Sequence, residues 1–176
     1  MHQAGSVVEH DSDTVELGDQ LRTLYDQHYR SLVKLAAFYV DDVWTCEEVV
    51  QDAFVKLLTG RRTTRAGSEA AYLRSAVLNG ARSALRKRKV RRDNQPAAPD
   101  AVPSPEDAAL RAVASADVLD ALRRLPARQA DVLTLRYFLD LTEAEIADTL
   151  GLARGTVKSH AHRGLDSLSV LMKEAP

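Results

Sequence analysis

Residues 141–166, LTEAEIADTLGLARGTVKSHAHRGLD, decide the fold of at least the C-terminal part of this chain. Thr142 followed three residues later by Glu145 is a capping-box pattern, and Leu141 before it can staple onto Ile146, so a helix start is specified twice. Ile146, Ala147 and Leu150 give that helix an apolar face. Gly151 supplies the tight bend between two crossed helices, and Leu152 can plug the angle between them. On the second helix Val157, Ala161, Leu165 and Leu168 recur at helical spacing and are expected to face the core. That leaves Arg154, Lys158, Ser159, His162 and Arg163 toward solvent, as side chains suited to phosphates and base edges. The stretch reads as a helix-turn-helix with a basic second helix.

The 176 residues suffice for one ordinary domain or two small ones. Aromatic residues are few, and Leu, Val and Ala carry the apolar content, which suits helical bundles better than a β-sandwich. The longest uncharged apolar run, Leu35 to Val40, is too short to span a bilayer, and the acidic N-terminus has no apolar signal region. The expectation is a cytoplasmic protein without membrane insertion. Cys46 is the single cysteine, so it has neither a disulfide partner nor a second thiol for zinc, and it reads as a small half-buried hydrophobe. No cofactor or metal is expected. His160 and His162 stand two residues apart, on different helix faces, and do not converge on an ion.

The net charge of −1 conceals a strong segregation. Residues 1–60 hold eleven acids and four bases, residues 61–92 hold eleven bases and one acid, and residues 93–107 hold four acids and no base. Residues 96–107, PAAPDAVPSPED, contain four prolines and little that could build a core, so they read as an extended linker. The expected organisation is a disordered tail (1–19), a helical domain (20–92), a flexible acidic linker (93–107) and a second helical domain (108–174).

In the first domain Leu21, Leu24, Tyr25, Tyr29, Leu32, Val33 and Ala36 form one helical stripe, and Val49, Val50, Ala53, Phe54 and Leu57 another. Gly60 ends the second helix, and Asp41–Asp42 reads as the turn before it. A third helix from about Glu69 places Tyr72, Leu73, Ala76, Val77, Gly80, Ala81 and Leu85 inward. Its outer side and C-terminal end carry Arg74, Asn79, Arg82, Arg86, Lys87, Arg88, Lys89, Arg91 and Arg92. Cations near a helix C-terminus complement the macrodipole, but seven bases between 82 and 92 exceed what that requires. Phosphate binding accounts for the surplus.

Three stretches, in this order, resemble the extracytoplasmic-function (ECF) group of sigma-70 family RNA polymerase sigma factors. CEEVVQDAFVKLL (46–58) resembles the family's AEDLVQETFLRL motif. YLRSAVLNGARSALRKRKVRR (72–92) is similar to its WLxxIAxNxAxDxLRRxxR helix, and LRRLPARQADVLTLRYFLDLTEAEIADTLGLARGTVKSHAHRGL (122–165) to its C-terminal domain.

The resemblance implies an all-α protein of two small helical domains, sigma domains 2 and 4, joined by a flexible Pro-rich linker. It implies a non-enzymatic role, bringing bacterial core RNA polymerase to promoter DNA and promoting melting. Glu48, Gln51 and Asp52 would dock on the clamp helices of the largest polymerase subunit. Leu133, Tyr137 and Phe138 would meet the flap tip of the second subunit. Arg61, Arg62, Arg65, Tyr72, Arg74, Asn79, Arg82, Arg86, Lys87, Arg88 and Lys89 would meet the −10 element. There a flipped base needs a pocket and a single strand needs cations along its backbone. Arg154, Thr156, Lys158, Ser159, His160, His162 and Arg163 would lie in the major groove of the −35 element. The surfaces that dock polymerase are also those that an anti-sigma factor would occupy.

Some positions depart from the family pattern. Ala153 stands where Ser or Pro often opens the recognition helix, Tyr72 where Trp is common, His160 for Arg, Ala161 for Leu, and Ser83 for Asp. A LuxR-like transcriptional regulator shares the TVKSH-type helix, but residues 20–92 lack the alternating strands of a receiver domain. An enzyme would need a nucleophile–base pair, a phosphate loop or metal-ligand spacing, none of which the sequence offers. The Arg-over-Lys bias with abundant Ala and Val points to a GC-rich, actinobacterial-type genome.

Overall fold

A computed structural model describes the backbone of residues 6–60, 67–94 and 116–173, and side chains within 18–60, 67–91 and 117–173. Every regular element among them is helical: α1 (Ser6–Ala37), α2 (Val43–Gly60), α3 (Glu69–Asn94), α4 (Ala116–Arg124), α5 (Ala127–Phe138), α6 (Glu143–Leu150) and α7 (Arg154–Lys173). By internal contacts the chain divides after Arg30. In the preceding segment Tyr25 and Tyr29 stack with ring centroids 4.5 Å apart, one helical turn from each other. Helix α1 starts well inside the stretch expected to be a disordered tail. Propagating a helix past Gly18 adds one hydrogen bond per residue and avoids a second costly nucleation. The acidic linker falls, apart from Asp93 and Asn94 at the end of α3, outside the described residues.

From Ser31 onward there are two helical bundles. The first combines the end of α1 with α2 and α3. Leu32, Leu35, Ala36, Phe38, Val50, Phe54, Leu57, Leu73, Val77, Leu78 and Ala81 are all buried there. The turn between α1 and α2 is built as the Asp41–Asp42 pair suggests. The Thr45 backbone N–H donates to Asp42 Oδ1 at 2.8 Å, and that of Cys46 donates to the Asp42 carbonyl, so Asp42 caps α2. Cys46 is buried, its thiol 3.8 Å from the Val40 carbonyl oxygen. The α2–α3 crossing is close: a Cβ on Gly80 would meet Val49 Cγ1 at 2.9 Å. Glycine at that position lets the two helices approach.

The second bundle is built from α4 to α7 around Leu122, Leu125, Val132, Leu133, Leu135, Ile146 and Val157. Its helix-turn-helix is capped as the sequence indicates. The Glu145 N–H donates to Thr142 Oγ1 at 3.3 Å, and the Thr142 N–H donates to Glu145 Oε2 at 2.9 Å. Gly151 is left-handed (φ 64°, ψ 39°), and its N–H and that of Leu152 both return to the Ala147 carbonyl. This is the glycine-terminated helix end that a sharp bend requires.

One inward position differs from expectation on α7. Val157, Ala161 and Gly164 are buried, whereas Leu165 is 42% exposed. The buried face advances by four and then three residues, so it reaches 164, and residue 165 points about 100° away. A Cβ on Gly164 would lie 3.1 Å from Leu133 Cδ1 and 3.3 Å from Gln129 Cβ. The missing side chain is what lets α5 and α7 pack closely.

Candidate nucleic-acid interface

On α7 the side chains of Arg154, Lys158, Ser159, His162 and Arg163 are exposed on one side of the second bundle, as the residue spacing predicts. The Arg163 Nε–H donates to the Ser159 carbonyl at 3.3 Å, and the Ser159 hydroxyl donates to the Gly155 carbonyl at 3.0 Å. His162 lies 3.8 Å from Asp166. These local bonds are weak restraints at an exposed helix surface, so the side chains keep their reach toward a ligand. Thr156 and His160 are only half-exposed, and His160 Nδ1 is shielded with no hydrogen-bond partner. His160 sits three residues after the fully buried Val157 and therefore on the edge of the inward face. It is less available to DNA than its neighbours. The Ala153 carbonyl accepts from the Thr156 and Val157 N–H groups, so the helix opens directly after it.

The first bundle gathers the other candidates around a groove of about 870 Å³ between α2 and α3. Glu48 and Asp52 line it from α2, and Tyr72, Asn79, Lys87 and Arg88 from α3. Asn79 is exposed, with its amide free to reach a base edge, and Tyr72 is half-buried. Lys87 and Lys89 are exposed. Arg86 donates to its own-helix neighbour Ser83 Oγ at 3.1 Å, and Arg88 lies 3.4 Å from the Asp41 carboxylate. Arg61, Arg62 and Arg65 lie outside the described residues.

Two arginines expected at the −10 element are engaged elsewhere. Arg82 forms an ion pair with Asp131 of α5, and its guanidinium carbon stands 5.7 Å from the centre of the Tyr39 ring. Arg74 donates to the buried Thr149 Oγ1 of α6 at 3.1 Å. Burial lowers the Arg74 pKa below the usual arginine value, opposed by Glu145 and Asp148. Burial likewise raises that of Tyr39, opposed by Arg82. The sequence reading missed Asp131, which is fully buried. Its neighbours carry a usable signal: Ala130, Val132, Leu133 and Leu135 are all apolar, so a carboxylate among them falls on an inward face.

For polymerase contacts the result is mixed. Glu48, Gln51 and Asp52 are exposed on α2, and Tyr137 is 55% exposed. Leu133 is corrected: at 1% exposure it is a core residue under Gly164 and offers no surface. Phe138 is half-buried, its ring edge-on to Phe38 with centroids 5.7 Å apart. Trp44, 79% exposed at the start of α2, was not singled out by sequence. It lies on the same outward side as Glu48, Gln51 and Val55. A solitary exposed tryptophan is the available signal, since indole is seldom left in water without use. Among the described residues no cluster of His, Cys, Asp and Glu could hold a metal ion, and no helix is long and apolar enough to cross a membrane.

Fold and site together define a helical protein with a helix-turn-helix in one bundle and a basic helix flanking a groove in the other. Residues 24–91 match the sigma-70 region 2 family and residues 115–168 match sigma-70 region 4. The ECF RNA polymerase sigma factor SigL of Mycobacterium tuberculosis is 30% identical over 161 residues, covering 88% of this chain and 89% of that protein. The RNA polymerase sigma-E factor of Streptomyces avermitilis is 31% identical over 158 residues, covering 89% and 84%. The ECF RNA polymerase sigma factor BldN of Streptomyces coelicolor is 28% identical over 162 residues, covering 89% of this chain and 61% of BldN, so the chain spans less than two thirds of that relative. This chain belongs to the ECF sigma factors of the sigma-70 family. The fold is shared with solved structures. One is CnrH in complex with the cytosolic domain of CnrY (TM-score 0.65, 22% identity, 89% of each chain). Another is RpoE of Bartonella quintana in complex with the anti-sigma factor NepR (TM-score 0.60, 23% identity, 90% of this chain and 97% of that one).

Proposed function

We propose that this protein binds core RNA polymerase in the cytoplasm, directs it to promoters through −10 and −35 contacts, and promotes strand separation there. The observation that carries the reading is the pairing of two separate DNA-suited surfaces in one chain. One is the α7 face of Arg154, Lys158, Ser159, His162 and Arg163. The other is the groove where Asn79 and Tyr72 sit beside Lys87 and Arg88. A plain repressor needs only the first. A groove with an amide, an aromatic ring and cations suits a displaced single strand.

Trp44, Glu48, Gln51 and Asp52 form the surface offered to the clamp helices, and Tyr137 with Phe138 the surface offered to the flap tip. Residues 20–92 act as domain 2, 108–174 as domain 4, and 93–107 as their tether. The fold shared with RpoE of Bartonella quintana, solved in complex with the anti-sigma factor NepR, supports an anti-sigma partner for this chain as well.

Two sets of substitutions separate the roles. Glu48→Ala with Gln51→Ala and Asp52→Ala is expected to abolish binding to core polymerase and leave helicity intact. Arg154→Ala with Lys158→Ala is expected to keep core binding, weaken promoter binding by the holoenzyme and reduce its salt slope by about two. Loss of core binding in the second set, or none in the first, would overturn the assignment of these surfaces.

A further inference from the structure

A second group able to read a base stands beside Asn79 in the groove between α2 and α3. Ser75, Asn79, Ser83 and Lys87 all line that groove. They follow one another at four-residue steps, so they share one face of α3 with about 6 Å of rise between successive residues. Ser83 is half-buried, and Asn79 and Lys87 are exposed. A strand that lays one base edge against the Asn79 amide brings the adjoining base within reach of the Ser83 hydroxyl.

That hydroxyl is engaged differently from others in these helices. Serine and threonine inside a helix often donate to the carbonyl one turn back. Thr23, Thr59 and Ser159 do so, to Asp19, Val55 and Gly155 at 2.9, 3.0 and 3.0 Å. Ser83 instead accepts, because Arg86 Nη2 donates to its Oγ at 3.1 Å. Among the described residues no acceptor takes the Ser83 O–H. A hydroxyl has one proton and two lone pairs. With a guanidinium on one lone pair, the O–H is polarised into a stronger donor and the oxygen becomes a poorer acceptor.

The opposite wall has the reverse chemistry. Glu48 and Asp52 line the groove from α2, and ionised carboxylates only accept. A keto oxygen entering the groove is repelled by that wall and drawn to Ser83. An amino group is drawn to the α2 wall and finds no ready acceptor in a hydroxyl held as a donor.

We propose that Ser83 is a specificity-determining residue whose Oγ–H donates to the keto oxygen of a thymine or guanine in the −10 element. Arg86 is the positioning residue that keeps the hydroxyl a donor. Thymine O4 and guanine O6 accept, whereas adenine N6 and cytosine N4 donate, so a keto base is selected over an amino base at one position. This deepens the proposed function and rests on it, because it takes the groove as the −10 site.

The test is competitive initiation by core polymerase with the full chain, on promoter templates randomised through the −10 element and each carrying a transcribed barcode. The wild-type chain is expected to favour thymine or guanine about three- to tenfold over adenine and cytosine at one position, the worth of a single hydrogen bond. Ser83→Thr keeps the hydroxyl and the preference. Ser83→Ala loses the preference at that position alone. Ser83→Asp, which only accepts, reverses it toward adenine or cytosine. Arg86→Ala frees the lone pair, so the preference is expected to narrow to about twofold.

The same base selection by wild type and Ser83→Asp would overturn the proposal. So would a uniform loss across all −10 positions in Ser83→Ala, which marks a structural role. Absence of initiation by the wild-type chain on every template would defeat the proposed function and the Ser83 assignment with it. Initiation with a selection that ignores residue 83 would defeat the Ser83 assignment alone.

Discussion

Gly80→Ala tests the geometry that sets the groove. The new Cβ would lie 2.9 Å from Val49 Cγ1 and 3.7 Å from Cγ2, and the first of these is closer than carbon atoms tolerate. Val49 cannot rotate away cheaply, because a β-branched side chain in a helix has one strongly preferred rotamer. Two effects oppose each other. Alanine is favoured over glycine inside a helix by roughly 0.5–1 kcal/mol, whereas overpacking a close crossing costs typically about 1–3 kcal/mol. The net expectation is a destabilisation of about 0.5–2 kcal/mol, read as a shift of the urea midpoint at unchanged m-value. Val49→Ala removes the obstructing methyl, so in the double variant the penalty should vanish and the helix gain remain. The coupling energy would then be about 1 kcal/mol or more. A Gly80→Ala protein more stable than wild type, or additive effects in the cycle, would refute the close-crossing argument. The residue adjoins Asn79, so the same variant is expected to weaken −10 contacts while core binding through α2 persists.

Further outcomes follow from the helix-turn-helix. Thr142→Ala removes the hydroxyl half of the capping box, leaving the backbone N–H bond to Glu145, and is expected to cost about 1 kcal/mol, with faster amide exchange confined first to α6. The two Thr142 hydrogen bonds hold the Glu145 carboxyl below its ordinary pKa. That contribution is complete above the unfolded-state pKa and is lost as pH falls through the folded-state value, so wild type should lose stability on acidification more steeply than Glu145→Gln. Ile146→Ala, at a fully buried site, should cost about 2–5 kcal/mol, whereas Leu165→Ala should stay within about 0.5 kcal/mol. Equal losses in urea titrations of the two would mean that the inward face of α7 is wrongly placed.

The parts of this fold that are legible in the sequence are those fixed by local chemistry. Thr142 and Glu145 cap the helix that their spacing predicts, Gly151 takes the left-handed bend, Asp42 opens α2, and Cys46 packs inside. The apolar stripes of α2 and α3 likewise face inward, except at Leu85 of α3, which is 41% exposed toward the helix's basic end. Misses arise where a contact joins distant residues. Nothing near Arg82 or Arg74 announces that each meets an acceptor on the second bundle, 49 and 75 residues away in the sequence for Asp131 and Thr149 respectively. A run of bases reads the same whether it is solvated or paired. Gly164 was invisible for a different reason: spacing marked Leu165 as the apolar candidate, but the close approach of α5 selects the residue without a side chain. The family resemblance alone points to Leu133 as a surface residue, yet its position between Val132 and Leu135 puts it in the core.

The central claim is tested most directly by transcription in vitro from a genomic fragment library with bacterial core RNA polymerase, with and without this chain. The account predicts discrete new start sites that require the protein, share −10 and −35 sequences, and fade when Arg86, Lys87 and Lys89 are replaced by Ala. Arg82 is left intact so that the Asp131 pair is undisturbed. Absence of initiation, together with tight binding of the chain alone to intact duplex, would contradict it.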